Sequence, residues 1–180
     1  MKQIFDFFAN ETDYPDLAST GAVERLSRAI QCKTIDRGEE TDSADVEKLH
    51  ALIRESYPAL MATASFEVIG RHSLLITIPG TDPTLRPCLF MSHQDVVPVV
   101  AGTEADWTHD AFSGTVADGY IWGRGTLDIK NQVFGVLEAA DTCCPTAPPL
   151  PAPPIWPSAT TRRHSTRAPA PSHPICRPRT

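Results

Sequence analysis

Cys88-Leu89-Phe90-Met91-Ser92-His93-Gln94-Asp95-Val96-Val97 is the stretch whose reading decides the fold. It opens with four apolar residues in a row, the pattern of a central strand buried on both faces. The polar residues that follow place an imidazole, His93, and a carboxylate, Asp95, at the strand's carboxyl end. In open α/β sheets, sites form beyond the carboxyl ends of the strands.

Working outward, the segments on either side supply the rest of an α/β domain. Ser19 or Thr20 can cap a helix to about Gln31, with Val23, Leu26, Ala29 and Ile30 at helical spacing. A polar loop, 33–41, carries Glu39-Glu40, which reads as a solvated pair. A second helix runs from Asp42 or Ser43 to about Ser56 on the stripe Val46, Leu49 and Ile53, and Tyr57-Pro58 ends it. His50, beside that stripe, reads as a packed histidine. From Phe66 the period falls to two, giving strands over 66–68 and 73–78 about a turn at Gly70-Arg71. Pro79-Gly80 and Asp82-Pro83 are turn residues.

Residues 98–113 form a long connection. Asp118-Gly119 suits a type I′ hairpin within 114–122. Gly123-Arg124-Gly125-Thr126-Leu127-Asp128-Ile129-Lys130 then reads as a glycine-rich turn that sets a carboxylate at the head of a helix. That helix spans Asp128 to Ala140, with Val133, Val136, Leu137 and Ala140 on its apolar side. Helices followed by buried strands indicate a mixed sheet with helices packed on it.

Composition narrows the function classes. The 180 residues suffice for one domain with a core. Formal charge is −6, but residues 141–180 contribute +4, so the first 140 carry −10. That acidity argues against a nucleic-acid partner. No apolar run approaches the ~18 residues of a membrane span. The N-terminal stretch lacks the pattern of a signal peptide, so a cytoplasmic location is the expectation. The five cysteines, Cys32, Cys88, Cys143, Cys144 and Cys176, show neither disulfide nor zinc-knuckle spacing and read as free thiols, with Cys88 in the core.

Neutral imidazole and carboxylate oxygen are the usual ligands of zinc and similar metals. His93 and Asp128 can supply one each, and Asp95 is close enough in sequence to fix the His93 ring. Alone, these motifs leave alternatives open. His-x-Asp is common, and Gly-x-Gly-x-x-Asp also describes a hairpin exit with a helix N-cap at Asp128.

A wider resemblance narrows them. From about Ser73 to Asp141 the sequence resembles the co-catalytic zinc peptidases (peptidase clan MH) that include aminoacylases, Gly-Xaa carboxypeptidases and succinyl-diaminopimelate desuccinylase. The matching residues are Met91 through Val99, Trp107, Phe112-Ser113-Gly114 and Asp118 through Lys130. The resemblance implies a three-layer catalytic domain holding two zinc ions and hydrolysing an N-acyl amino acid or short peptide. It implies His93 as ligand of one zinc, Asp128 as the carboxylate bridging both, and Asp95 as the catalytic-site residue that orients His93. It makes Asp128-Ile129 a candidate cis peptide bond. Ala111 stands where the family usually has proline.

The resemblance also implies a later strand ending in two adjacent glutamates, the first a general base and the second a metal ligand. The last Glu here is Glu138 and the last Asp is Asp141. From Cys143 the composition changes: residues 141–180 hold 11 of the 17 prolines and five arginines. The expectation is an incomplete catalytic domain over 1–142, without the family's dimerisation element, and a disordered Pro/Arg-rich tail over 143–180. The abrupt switch suggests a frameshifted or mis-joined tail. The other reading is a non-enzymatic protein whose Pro148–Pro154 run binds an SH3-type groove. His164 and His173 read as solvated.

Overall fold

The computed structural model describes residues 20–146 and 154–159. Phe5, Phe7 and Phe8, which could dock a terminal helix, lie outside the described residues, as do Pro148 to Pro153, His164 and His173.

Local chemistry sets the helix ends. Helix α1 (Ala22–Gln31) starts after Gly21, whose φ of +80° suits glycine. Thr20 Oγ1 accepts from the Ala22 N–H at 3.3 Å. Helix α2 (Ser43–Ser56) is capped by Asp42, whose carboxylate accepts from the Ala44 N–H at 2.9 Å. Tyr57-Pro58 ends α2 as expected, but Pro58 also opens a short helix, α3 (Pro58–Thr63), that the sequence did not announce. Proline fits a first helical position because its fixed φ is helical and its missing N–H would have no partner there.

The strands follow. β1 (Ser65–Ile69) and β2 (Ser73–Thr77) form an antiparallel hairpin, Ser65 opposite Thr77, about Gly70 at φ +65°. The central run is interrupted into β3 (Cys88–Leu89) and β4 (Ser92–His93). β5 (Val116–Ala117) and β6 (Tyr120–Ile121) make the expected hairpin, with Asp118 and Gly119 both at positive φ. Helix α4 (Lys130–Thr146) begins two residues later than the sequence suggested.

One departure concerns the tail. The expected disorder extends across 143–180, whereas 154–159 form strand β7 (Pro154–Ala159) in the middle of the five-stranded sheet. β7 is antiparallel to β2 and parallel to β3 and β4. β2 and β3/β4 do not pair with each other, so each offers an unpaired backbone edge, and a strand between them satisfies both.

The core lies between the helices and β2. Leu49, Ile53, Tyr57, Leu60, Leu74, Val133, Phe134 and Leu137 are all buried in it. Phe134, which the apolar reading of α4 passed over, is among its largest members. Val23 was expected on the inner stripe of α1 but is 46% exposed, on the lip of a groove beside α4.

The larger correction concerns the central strand. Leu89, Phe90 and Met91 are 51, 45 and 62% exposed, and Cys88 is exposed too, so neither face is closed as expected. α4 packs against β4, and β7 pairs with it edge to edge.

Candidate metal centre

His93 is placed by β4 and the turn that follows it. Its Nδ1 lies 3.0 Å from the Asp95 backbone carbonyl and 3.4 Å from Asp95 Oδ1. Both are acceptors, so Nδ1 carries a proton and donates it. The sequence suggested that the Asp95 carboxylate would orient the ring. In the structure the shorter contact is to its carbonyl oxygen, and the carboxylate, whose side chain is 6% exposed, lies slightly farther from the ring.

That turn is braced by a segment read only as polar loop. The Thr34 hydroxyl donates to the Gln94 carbonyl at 2.6 Å, Val96 N–H to the Thr34 carbonyl at 2.9 Å, and Asp36 N–H to the Val96 carbonyl at 3.2 Å. Gln94 is wholly buried. Its amide donates to the His72 carbonyl at 2.6 Å, and its Oε1 lies 3.0 Å from His50 Nε2. Burial holds His50 below the ordinary imidazole pKa, so the ring is neutral and Nε2–H donates to the amide oxygen. His50 is thus a packed residue, as expected, and ties α2 to the residue after His93.

Asp128 arrives from the other side, on the glycine-rich turn. Gly125 needs its freedom, because at φ +93° a Cβ there would come within 2.7 Å of Val96 Cγ1. The Lys130 N–H donates to the Gly125 carbonyl at 2.8 Å, closing the turn, and the Asp128–Ile129 peptide bond is cis. Asp128 Oδ1 then stands 3.0 Å from His93 Nε2. The His93 side chain is 19% exposed and that of Asp128 55%, so the pair sits at the rim and opens to solvent.

Lys130 is the residue whose role the sequence hid. It is fully buried and donates to the carbonyls of Ala29 at 2.8 Å and Cys32 at 2.6 Å, at the carboxyl end of α1. Desolvation pushes its pKa down to about 8. Only its place at the end of the Gly-x-Gly-x-x-Asp-x-Lys pattern could have flagged it. Farther along α4, the Arg25 guanidinium makes a two-pronged contact with Glu138, both distances 2.6 Å, and the Tyr57 hydroxyl donates to the same carboxylate at 2.9 Å.

His93 and Asp128 suit a cation. Their facing atoms, His93 Nε2 and Asp128 Oδ1, stand 3.0 Å apart, somewhat closer than two ligands ~2.0–2.2 Å from one tetrahedral ion would. No third His, Cys, Asp or Glu joins them among the described residues.

The fold is that of the M20 metallopeptidases. An M20 family metallo-carboxypeptidase from Sulfolobus solfataricus superposes with a TM-score of 0.61 at 20% identity, over 76% of this chain and 30% of that one. Residues 89–153 match the profile described as Peptidase family M20/M25/M40. It is 36% identical over 132 residues to a probable carboxypeptidase S-like 2 from Dictyostelium discoideum, over 71% of this chain and 25% of that protein. It is 39% identical over 121 residues to the human N-fatty-acyl-amino acid synthase/hydrolase PM20D1, over 66% of this chain and 24% of that one. The chain spans about a quarter of the length of these two curated relatives.

Proposed function

We propose that this chain carries part of the active site of a metal-dependent hydrolase of amide or peptide bonds, a carboxypeptidase or N-acyl-amino-acid amidohydrolase, with a small N-acyl amino acid or short peptide as substrate. His93 and Asp128 are its metal ligands and Asp95 its positioning residue. Zinc is the proposed metal, two ions in the complete site. Relatives named carboxypeptidase and N-fatty-acyl-amino acid synthase/hydrolase support the substrate class.

One observation carries the reading. With Nδ1 donating to Asp95, a neutral His93 turns the Nε2 lone pair toward a carboxylate oxygen 3.0 Å away. Two acceptors at that distance need positive charge between them, either a proton on Nε2 or a metal ion. Asp95 fixes the ring so that Nε2 and not Nδ1 faces the rim. A bound zinc would polarise the substrate carbonyl and make hydroxide available near neutral pH.

Two ligands are fewer than the three or four of established zinc sites, and no glutamate follows Glu138. This chain alone should therefore bind zinc weakly and turn over negligibly. Zinc titration by calorimetry tests the ligand assignment. The chain should take up zinc, and His93→Ala should lose that uptake while keeping its helical circular dichroism. Equal uptake by His93→Ala would overturn the assignment. Zinc-dependent hydrolysis of N-acyl amino acids by the unaltered chain, abolished by EDTA, would overturn the expected inactivity.

A further inference from the structure

We infer that the chain beyond about residue 142 is translated out of frame, and that the frame beginning one nucleotide earlier encodes two adjacent glutamates, two residues beyond the end of β7, the strand whose last residue pairs with His93. That these carboxylates complete a metal centre rests on the function proposed above. The frame itself does not depend on it.

The structural observation is the place of β7. It runs parallel to β4 with Ser158 opposite Ser92 and Ala159 opposite His93. The chain therefore leaves this strand level with the imidazole. Yet β7 reads Pro-Ile-Trp-Pro-Ser-Ala, with prolines at 154 and 157, and it is paired along both edges. A proline in a central strand lacks the N–H its neighbour needs and belongs at an edge. Position and sequence disagree.

The genetic code resolves the disagreement. Tryptophan has the single codon TGG and every proline codon begins CC. In the frame one nucleotide earlier, the junction of Trp156 and Pro157 therefore reads GCC, alanine, whichever synonymous codons are used. The junction of Ile155 and Trp156 reads Leu or Met. That of Pro157 and Ser158 reads Phe, Leu, Ile or Val for the TCN serine codons. None of these is a forced proline, and Phe, Ile and Val favour strands.

The junctions into Thr160 and Thr161 each read Asp, Asn, His or Tyr. Those of Thr161 with Arg162 and of Arg162 with Arg163 both read GAG, glutamate, when both arginines use AGG or AGA and a G precedes each junction. The remaining frame cannot place such a pair there. Its codon starting within Thr161 begins with C, and its codon running from Arg163 into His164 ends in C, and neither specifies glutamate.

The same frame also repairs the end of α4. The junction of Cys143 and Cys144 reads TTG or CTG, leucine in either case, and that of Thr142 and Cys143 reads Leu, Met or Val. Both extend the apolar pattern that Val133, Phe134, Leu137 and Ala140 establish in this helix. Between 142 and 163 this frame compels no proline at all.

Sequencing the transcript across codons 140 to 165 tests the frame, with peptide masses of the native protein as a second readout. The expected result is an open shifted frame that reads Leu, then Ala, then Glu-Glu at the stated junctions. A stop codon in that frame, CGN codons at Arg162 or Arg163, or lysine or glutamine in place of either glutamate would overturn it. Expression with one nucleotide restored after codon 142 then tests the consequence. Zinc should bind at least tenfold more tightly than to the unaltered chain, with helical circular dichroism retained. An open Glu-Glu frame whose folded product gains no zinc affinity would leave the frame standing and overturn the metal-centre reading.

Discussion

The two sides of this molecule differ in closure. On the helical side, α1, α2, α3 and α4 close over β2, and the large apolar residues between them, Tyr57, Phe134, Leu49 and Ile53, are excluded from water. On the strand side, Leu89, Phe90, Met91, Val97 and Val100 face solvent. The difference teaches where stability and chemistry reside. The helical core supplies the apolar burial that offsets ordering entropy. The strand rim contributes little burial and carries His93 and Asp128.

Substitutions should separate the two sides. The largest effect belongs to Phe134→Ala, which empties a site 2% exposed at the centre of the helical core. It should cost about 3–5 kcal/mol, read from the denaturant midpoint. A loss under about 1 kcal/mol would show that the core is not closed there.

Lys130→Met comes next. It keeps the side-chain length but leaves the carbonyls of Ala29 and Cys32 with only their backbone donors, the Cys32 and Thr34 N–H groups. Loss of two buried hydrogen bonds from a charged donor puts the cost at about 1–3 kcal/mol, read the same way. A stabilised variant would mean that relief of the buried charge outweighs the two hydrogen bonds.

Acid should act through His50. Its folded-state pKa is lowered by burial, so the unfolded chain binds the proton more readily. Stability contributed by the neutral ring is present above the ordinary imidazole pKa of about 6.5 and is lost as pH falls below it. Thermal midpoints at pH 7.5 and 5.5 should show that fall, and His50→Gln should flatten it. An unchanged slope in the variant would assign the acid sensitivity elsewhere.

Met91→Ser should be nearly silent, within about 0.5 kcal/mol, because the side chain is 62% exposed. A cost above about 1 kcal/mol would mean that something covers this face in solution, and the contrast between the two sides would fall.

Much of the scaffold was legible in the sequence, because long amphipathic helices and the Gly70 and Asp118-Gly119 turns write their geometry locally. The short helix at Pro58 was not, since proline before a short apolar run reads equally as a stop. The buried strand at 88–91 was misread for a related reason. An apolar run states a capacity for burial, and whether anything lies on it depends on residues far away in sequence. At the candidate site, His93, Asp95 and Asp128 could be picked out by residue type and spacing. The support beneath them could not. The Gln94 links to His50 and His72, the Thr34 brace and the Lys130 anchor join residues 22 to 101 positions apart, and no local pattern records such pairings.

The Lys130 anchor has a consequence for inheritance between distant parts of the gene. The ammonium group two residues beyond Asp128 is moored to the end of a helix encoded a hundred codons earlier. An exon boundary, deletion or alternative start that removed residues 22–32 would leave every presumed ligand intact in the sequence and yet unmoor the turn that aims one of them. For this architecture, scanning a gene for ligand motifs is insufficient. The first helix has to be checked as well.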